Sequence, residues 1–265
     1  MKRAALILVL IASLAGSACS RSASLNPPPA QPAQTLTVIH GTAVETPGTT
    51  QPAAGATPPA PSSVSPVKIT ETFDEPDDAW SPLKIVTSQA AGHDPLVKTA
   101  LENGRLRVSI QDKETYVYQF LKTPVQGSAS ISATYEYRTL QSSGVALVCD
   151  ADPNFTAWYE IRLLGAESKV DFYQYDQKLK ADGKNPYVLL GSAILAAREF
   201  SSAGVDTVRL SCSDRKLSLD LNQGARVITQ TVSADLKGGL GGIGVMSYNL
   251  LPVNIDFKTV SLQGQ

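Results

Sequence analysis

From Arg105 onward, apolar and polar residues alternate along the chain. Leu106, Val108 and Ile110 alternate with Arg105, Arg107 and Ser109, and Ile131, Ala133, Tyr135 and Tyr137 alternate with Ser132, Thr134 and Glu136. The same period of two recurs at Val208–Leu210–Cys212, at Leu217–Leu219–Leu221 and at Val253–Ile255–Phe257. Strict alternation places every second side chain on one face, so each run predicts a strand with one buried and one solvated side. A helical pattern is almost absent; only Ser192–Phe200 could form a couple of turns. Many short strands joined by Gly-, Asn- and Pro-containing turns predict an all-β fold: two antiparallel sheets packed as a jelly-roll sandwich.

The middle of the chain can be read in register. Trp158–Leu164 and Lys169–Tyr175 flank four residues, Gly165–Ser168, a common hairpin loop length. Centring the turn pairs Leu163 with Val170 and Ile161 with Phe172 on one face. The opposite face then pairs Arg162 with Asp171, Glu160 with Tyr173, and Trp158 with Tyr175. An apolar face, an opposite-charge pair and an aromatic pair all emerge from one register, which cross-strand pairing favours. The preceding strand, Val145–Cys149, joins through the loop Asp150–Phe155 and sets Val145, Leu147 and Cys149 on the core face.

Before Phe73 the chain has no aromatic residue, and ten of the 17 prolines fall between Pro27 and Pro66. Such a segment cannot bury enough apolar surface to offset the entropy of ordering it. Residues 19–66 therefore read as an extended tether, with Leu36–Val38–Ile39 its single apolar knot, and residues 67–265 as one domain large enough for a core. Residues 1–18 read as a signal: Lys2 and Arg3, the apolar run Ala4–Leu14, then Ala15, Gly16, Ser17 and Ala18 before Cys19. The apolar run is too short to span a bilayer. A signal ending in small residues before cysteine resembles a bacterial lipoprotein signal, which implies that Cys19 is lipidated and becomes the mature N-terminus. Gly16 stands where that pattern has an aliphatic residue, and the alternative is an ordinary signal cut near Ala18. The lipoprotein reading implies an extracytoplasmic protein held to the membrane through its lipid alone.

With Lys2 and Arg3 removed from the 23 basic residues, the mature chain carries a net charge of −3 against its 24 acidic residues. That balance, without any basic cluster, argues against a nucleic-acid partner. Cys149 and Cys212 are then the only cysteines left in the domain. Both occupy core-facing positions of strands in an oxidising compartment, so a disulfide between them is expected, two buried free thiols being the alternative.

The succession of segments adds a resemblance. It runs from Phe73-Asp74-Glu75-Pro76 and Trp80 through Glu102-Asn103-Gly104-Arg105 and Gly144–Cys149 with Asp152-Pro153-Asn154-Phe155. It continues with Val208–Cys212, Leu219-Asp220-Leu221-Asn222, the glycine-rich Gly241–Val245 and the closing Val253–Val260. This resembles the concanavalin A-like lectin/glucanase jelly rolls, also called laminin-G-like. The resemblance implies two curved sheets and a face or loop rim that binds carbohydrate in many relatives. It is a pattern of strands and turns, and such folds host unrelated functions.

Catalytic signals are weak by comparison. Glucanases of this superfamily place Glu, Asp and Glu at alternate positions of one strand, and no Glu-x-Asp-x-Glu occurs here. The acidic run Asp74, Glu75, Asp77 and Asp78 is interrupted by Pro76 and reads as a solvated turn. Of two histidines, His40 lies in the tether and His93 in a Gly-His-Asp-Pro turn, which leaves no His/Cys cluster for zinc and no Ser-His-Asp set. Gly239-Leu-Gly241-Gly-Ile-Gly244 matches a dinucleotide motif, but strand-like residues follow where a helix is needed, so the glycines read as bending a strand at a sheet corner. Asp150, Asp152 and Asn154 offer oxygens at alternate positions for Ca2+, yet Phe155 and Ile161 stand where an EF-hand needs Gly and Glu. A hairpin loop built from Asp, Pro and Asn accounts for them equally.

The leading reading is a surface-tethered, non-catalytic module for a glycan or other extracellular polymer. A carbohydrate-active hydrolase and a structural envelope module with a protein partner are the alternatives. The expected ligand patch is the outward set Trp158, Glu160, Arg162, Asp171, Tyr173 and Tyr175, left open by its small neighbours Ala146 and Val148. Aromatic platforms flanked by polar groups suit the apolar C–H faces and hydroxyls of sugars. The same pairs would also stabilise any exposed sheet face.

Overall fold

The computed structural model describes residues 66–88, 94–137, 143–196, 199 and 204–264. Cys19, the tether and His93 lie outside the described residues. Fifteen strands follow one another: β1 (Val67–Glu71), β2 (Lys84–Thr87), β3 (Val97–Leu101), β4 (Leu106–Ile110), β5 (Thr115–Phe120), β6 (Val125–Gln126), β7 (Ala129–Tyr137) and β8 (Ser143–Ala151). Then come β9 (Ala157–Leu164), β10 (Lys169–Asp176), the one-turn helix α1 (Gln177–Ala181), β11 (Tyr187–Ile194), β12 (Val205–Leu221), β13 (Arg226–Leu236), β14 (Gly238–Ser247) and β15 (Val253–Gly264).

These strands build two antiparallel sheets. One runs β13-β12-β7-β15-β4-β3, with β1 also paired to β15, and the other runs β11-β10-β9-β8-β14-β5-β2, with β6 on β14. The alternating residues read from the sequence meet between the sheets. Val108, Ile131, Val208, Leu219, Ile255 and Phe257 come from the first sheet, and Val117, Val145, Leu147, Ile161, Phe172 and Val245 from the second, all buried. Cys149 on β8 and Cys212 on β12 form a disulfide across this core, with Cα atoms 6.6 Å apart. It therefore ties one sheet to the other.

The β9–β10 hairpin has the expected register at every pair, from Leu163↔Val170 to Trp158↔Tyr175. Its loop is a single 3-10 turn, Gly165–Glu167, closed by Ser168 in the left-handed region at φ 48°. The β3–β4 hairpin turns through Asn103 at φ 53° and Gly104 at φ 67°, the left-handed pair that a tight hairpin requires. Asp74, Glu75, Asp77 and Asp78 are exposed, as a solvated turn should be.

Three expectations change. Ser192–Ile194 belong to β11 rather than to a helical turn, because β10 offers Lys169, Val170 and Asp171 as ladder partners. The only α-helical turn described is α1, capped by the Asp176 carboxylate, which accepts from Lys178 N at 2.8 Å. The glycines of 239–244 do not mark a corner. They lie within β14, where Gly242 and Gly244 have β8 on one side and β5 on the other.

Candidate functional site

The second sheet has an outer face as apolar as its inner one. On β5, Tyr116, Tyr118 and Phe120 point outward; on β9, Trp158, Glu160 and Arg162; on β10, Asp171, Tyr173 and Tyr175. Between them β14 and β8 offer only small or slim residues, among them Gly242, Gly244, Ala146 and Val148. The floor is low there, so the large rings of β5 and β9 lean across it. Tyr118 reaches over two intervening strands and its hydroxyl donates to Glu160 Oε1 at 3.2 Å.

This packing corrects the expectation of an open aromatic platform. Trp158 and Tyr175 are each only 1% exposed. Their rings stack on one another with centroids 3.7 Å apart and planes 14° from parallel, and the Trp158 ring also meets Tyr118 and Phe120 edge-on. Burial pushes the Tyr175 hydroxyl up to about 12 and those of Tyr118 and Tyr187 well above their ordinary value. Ala146 and Val148 are covered by these rings instead of leaving room above them.

A strap of chain closes that end of the face. Directly after β10, Gln177 N donates to Thr156 O at 2.8 Å, and Lys84 Nζ on β2 donates to Gln177 Oε1 at 3.0 Å. Lys180 Nζ lies 3.5 Å from Thr87 O, also on β2. Four strands separate β10 from β2 within the sheet, about 24 Å on a flat surface. The sheet must therefore curl for the strap to span it.

Beyond the strap the face stays open as a cleft of about 730 Å³. Arg162, Tyr116, Tyr173, Tyr187 and Tyr248 line its interior, Asp171 and Lys169 one end, and Lys180–Pro186 of the strap region one wall. Arg162 is 4% exposed and sits among the rings: its guanidinium carbon is 4.0 Å from the Tyr187 centroid, 4.3 Å from Tyr173 and 4.9 Å from Tyr116. A desolvated cation over an aromatic face gains about 2 kcal/mol. Glu160, fully buried on the same strand face, is the ion-pair partner: Arg162 Nε donates to its Oε1, while Trp158 Nε1 donates to its Oε2 at 2.7 Å. Burial works against the Arg162 charge, but the Glu160 carboxylate outweighs it and holds the guanidinium firmly protonated.

Of the six residues expected at the ligand patch, all share the outer face. Arg162, Asp171 and Tyr173 line the cleft, whereas Trp158, Glu160 and Tyr175 lie beneath it as supports. Both Glu160 oxygens are taken up by Trp158, Arg162 and Tyr118. Asp171 accepts from Ser192 Oγ at 2.5 Å and from Lys169 at 3.0 Å. Tyr116, Tyr187, Tyr248 and the strap were not expected here. The alternation Tyr116-Val-Tyr118-Gln-Phe120 is a period-two signal of aromatics that could have pointed to the first of them.

Asp150, Asp152 and Asn154 serve as loop-building groups. Asp152 Oδ1 accepts from Asn154 N at 2.8 Å, and Oδ2 accepts from Thr156 N at 2.8 Å, Thr156 Oγ1 at 2.7 Å and Ala157 N. Burial tends to raise the Asp152 carboxyl, but these hydrogen bonds prevail and lower it. Asp150 turns instead to the backbone amides of Lys237 and Gly238. Among the described residues no three His, Cys, Asp or Glu side chains converge as metal ligands.

No known protein family and no characterised protein matches the chain by sequence. Solved structures do match by shape. A prokaryotic β-1,3-1,4-glucanase (lichenase) derived from a mouse hindgut metagenome superposes with a TM-score of 0.52 at 14% identity, over 74% of this chain and 98% of that one. LamAcat from Zobellia galactanivorans gives 0.51 at 9% identity, over 73% and 96%. The β-glucanase of Bacillus licheniformis gives 0.50 at 14% identity, over 75% and 98%. At such identities the likeness defines architecture: the domain has the concanavalin A-like jelly-roll fold. Within that class it is a sandwich whose second sheet carries a tyrosine-lined cleft on its outer face.

Proposed function

We propose that the domain is a non-catalytic glycan-binding module, carried outside the cytoplasm on the 19–66 tether and held to the membrane through lipidated Cys19. The cleft carries the reading. Tyr116, Tyr173, Tyr187 and Tyr248 offer ring faces and hydroxyls around one fixed cation, Arg162. Sugars present apolar C–H faces and many hydroxyls, and such a lining meets both. Sharing its fold with β-glucanases supports a carbohydrate as the ligand class.

The side chains at the cleft support binding over hydrolysis. Glycosidic cleavage needs two carboxyl groups across the scissile bond, one of them free to give a proton. Glu160 is buried with both oxygens occupied, and Asp171 is held by Lys169 and Ser192. The test is a panel of soluble polysaccharides in affinity electrophoresis, run beside a reducing-sugar assay. A binding polymer should be retarded without releasing reducing ends, and Tyr173→Ala or Tyr187→Ala should weaken that retardation at least ten-fold. Release of sugar, or retardation unchanged in both variants, would overturn the reading.

A further inference from the structure

We propose that the cleft selects an acidic polysaccharide, one whose uronate carboxylates meet Arg162 at the floor and Lys180 and Lys184 on the strap; this rests on the glycan-binding reading above. The argument is an account of charge around the cavity. Glu160 neutralises Arg162 from below, and Asp171 pairs with Lys169 at 3.0 Å. Glu114 accepts from Ser88 Oγ. Glu167 stands in the exposed β9–β10 turn, at the opposite end of β10 from the strap.

The strap side is different. Lys180 and Lys184 both line the cleft, and neither has a carboxylate within ion-pair distance among the described residues. The one contact of the Lys180 ammonium is the Thr87 carbonyl, at 3.5 Å. Lys84 stands behind it, half-buried and bonded to the neutral Gln177 side chain. Burial lowers the Lys84 ammonium, and the charge of Lys180 lowers it further, with Asp152 pulling the other way. Ammonium groups gathered on one wall without matching carboxylates repel one another until an anion arrives.

Arg162 supplies the second half. Nε is bonded to Glu160 and Nη2 to the Tyr118 hydroxyl at 3.4 Å, and Nη1 is the nitrogen these bonds do not engage. Its flanking rings hold the guanidinium plane in place, so little entropy is lost when an oxyanion meets its edge. A uronate residue supplies both features at once: a pyranose ring to lie against tyrosine, and a carboxylate beside it for the cations.

The experiment compares polygalacturonate with the same polymer after carboxyl reduction, by calorimetry on the purified protein. The acidic form should bind roughly ten-fold more tightly at low salt, as expected of two to three exposed charge contacts, and the advantage should shrink as ionic strength rises. In the double variant Lys180→Gln, Lys184→Gln, discrimination between the two polymers should fall toward unity. Equal binding of both polymers by the parent protein would overturn the charge assignment while leaving glycan binding intact. Binding of neither, across the wider polysaccharide panel as well, would overturn both. Dextran sulfate bound as tightly as polygalacturonate, and undiminished by Tyr173→Ala, would mark a general polyanion surface and also sink the proposal.

Discussion

The ring of Tyr118 lies across Gly244. A Cβ built on Gly244 would stand 2.7 Å from Tyr118 Cδ1 and 2.8 Å from Cε1, and 3.2 Å from the Ala146 methyl. The glycine is thus what lets a β5 side chain cross two strands and reach Glu160 on β9. Tyr118 is fully buried, so its ring has no solvent to swing into. Gly244→Ala should therefore cost about 1–3 kcal/mol, the range for overpacking a well-filled site. In a Tyr118→Ala background the same substitution should cost clearly less, and urea unfolding of the four proteins measures the coupling. Costs that simply add would show that the ring and the glycine are independent.

Glu160 is the centre of the support beneath the cleft. Removing its charge by Glu160→Gln leaves Arg162 buried without a counter-ion, and breaking one side of a buried pair costs about 3–5 kcal/mol. Replacing both, Glu160→Gln with Arg162→Met, should recover a large part of that loss. Chemical denaturation of the two variants checks this. A single variant as stable as the parent would mean that the pair is solvated.

The sheet and its registers were legible because alternation has a mechanism: a strand with one buried face repeats every two residues. The β9–β10 hairpin was readable pair by pair, since slipping it by one would have put Ile161 and Phe172 outside. What alternation cannot say is whether the other face is wet. Trp158 and Tyr175 were placed on the correct side, yet their burial depends on the strap of residues 177–186 and on Tyr187. Those contacts join β2 to a turn about ninety residues away, and no local pattern encodes them. The role of Gly244 was equally hidden, because a glycine making room for a ring and one bending a strand read alike in sequence.

The disulfide makes a separate stability prediction. Cys149 and Cys212 are 63 residues apart, and cross-linking a loop of that length adds about 4 kcal/mol in the chain-entropy view. Intact mass under non-reducing conditions should be two hydrogens below that of the reduced chain. Reduction should lower the urea midpoint without abolishing the β-sheet circular dichroism signal. A mass showing two free thiols would refute the bridge.

The anchoring proposal is tested on the chain's own cysteine. Cys19→Ala should move the protein from the membrane fraction to the soluble extracytoplasmic fraction, and a lipoprotein signal-peptidase inhibitor should block its maturation. Membrane association that persists in Cys19→Ala would discard the lipid anchor.

Asp150 sets a dependence on pH. Burial raises its carboxyl to about 6, with the amides of Lys237 and Gly238 and the Lys237 charge pulling the other way. An unfolded aspartate titrates near 3.9. Between roughly pH 4 and pH 6 the folded protein holds a proton that the unfolded chain has released, so stability falls as pH rises through that window and levels off above it. Asp150→Asn keeps an oxygen for the two amides and suits the left-handed backbone there, at φ 53°. The variant should therefore match the parent near pH 4 and exceed it at pH 7.5, with the gap opening across the window. Urea unfolding of both proteins at half-unit steps reads this directly, and parallel stability curves from pH 4 to 7.5 would show that Asp150 is not the titrating group.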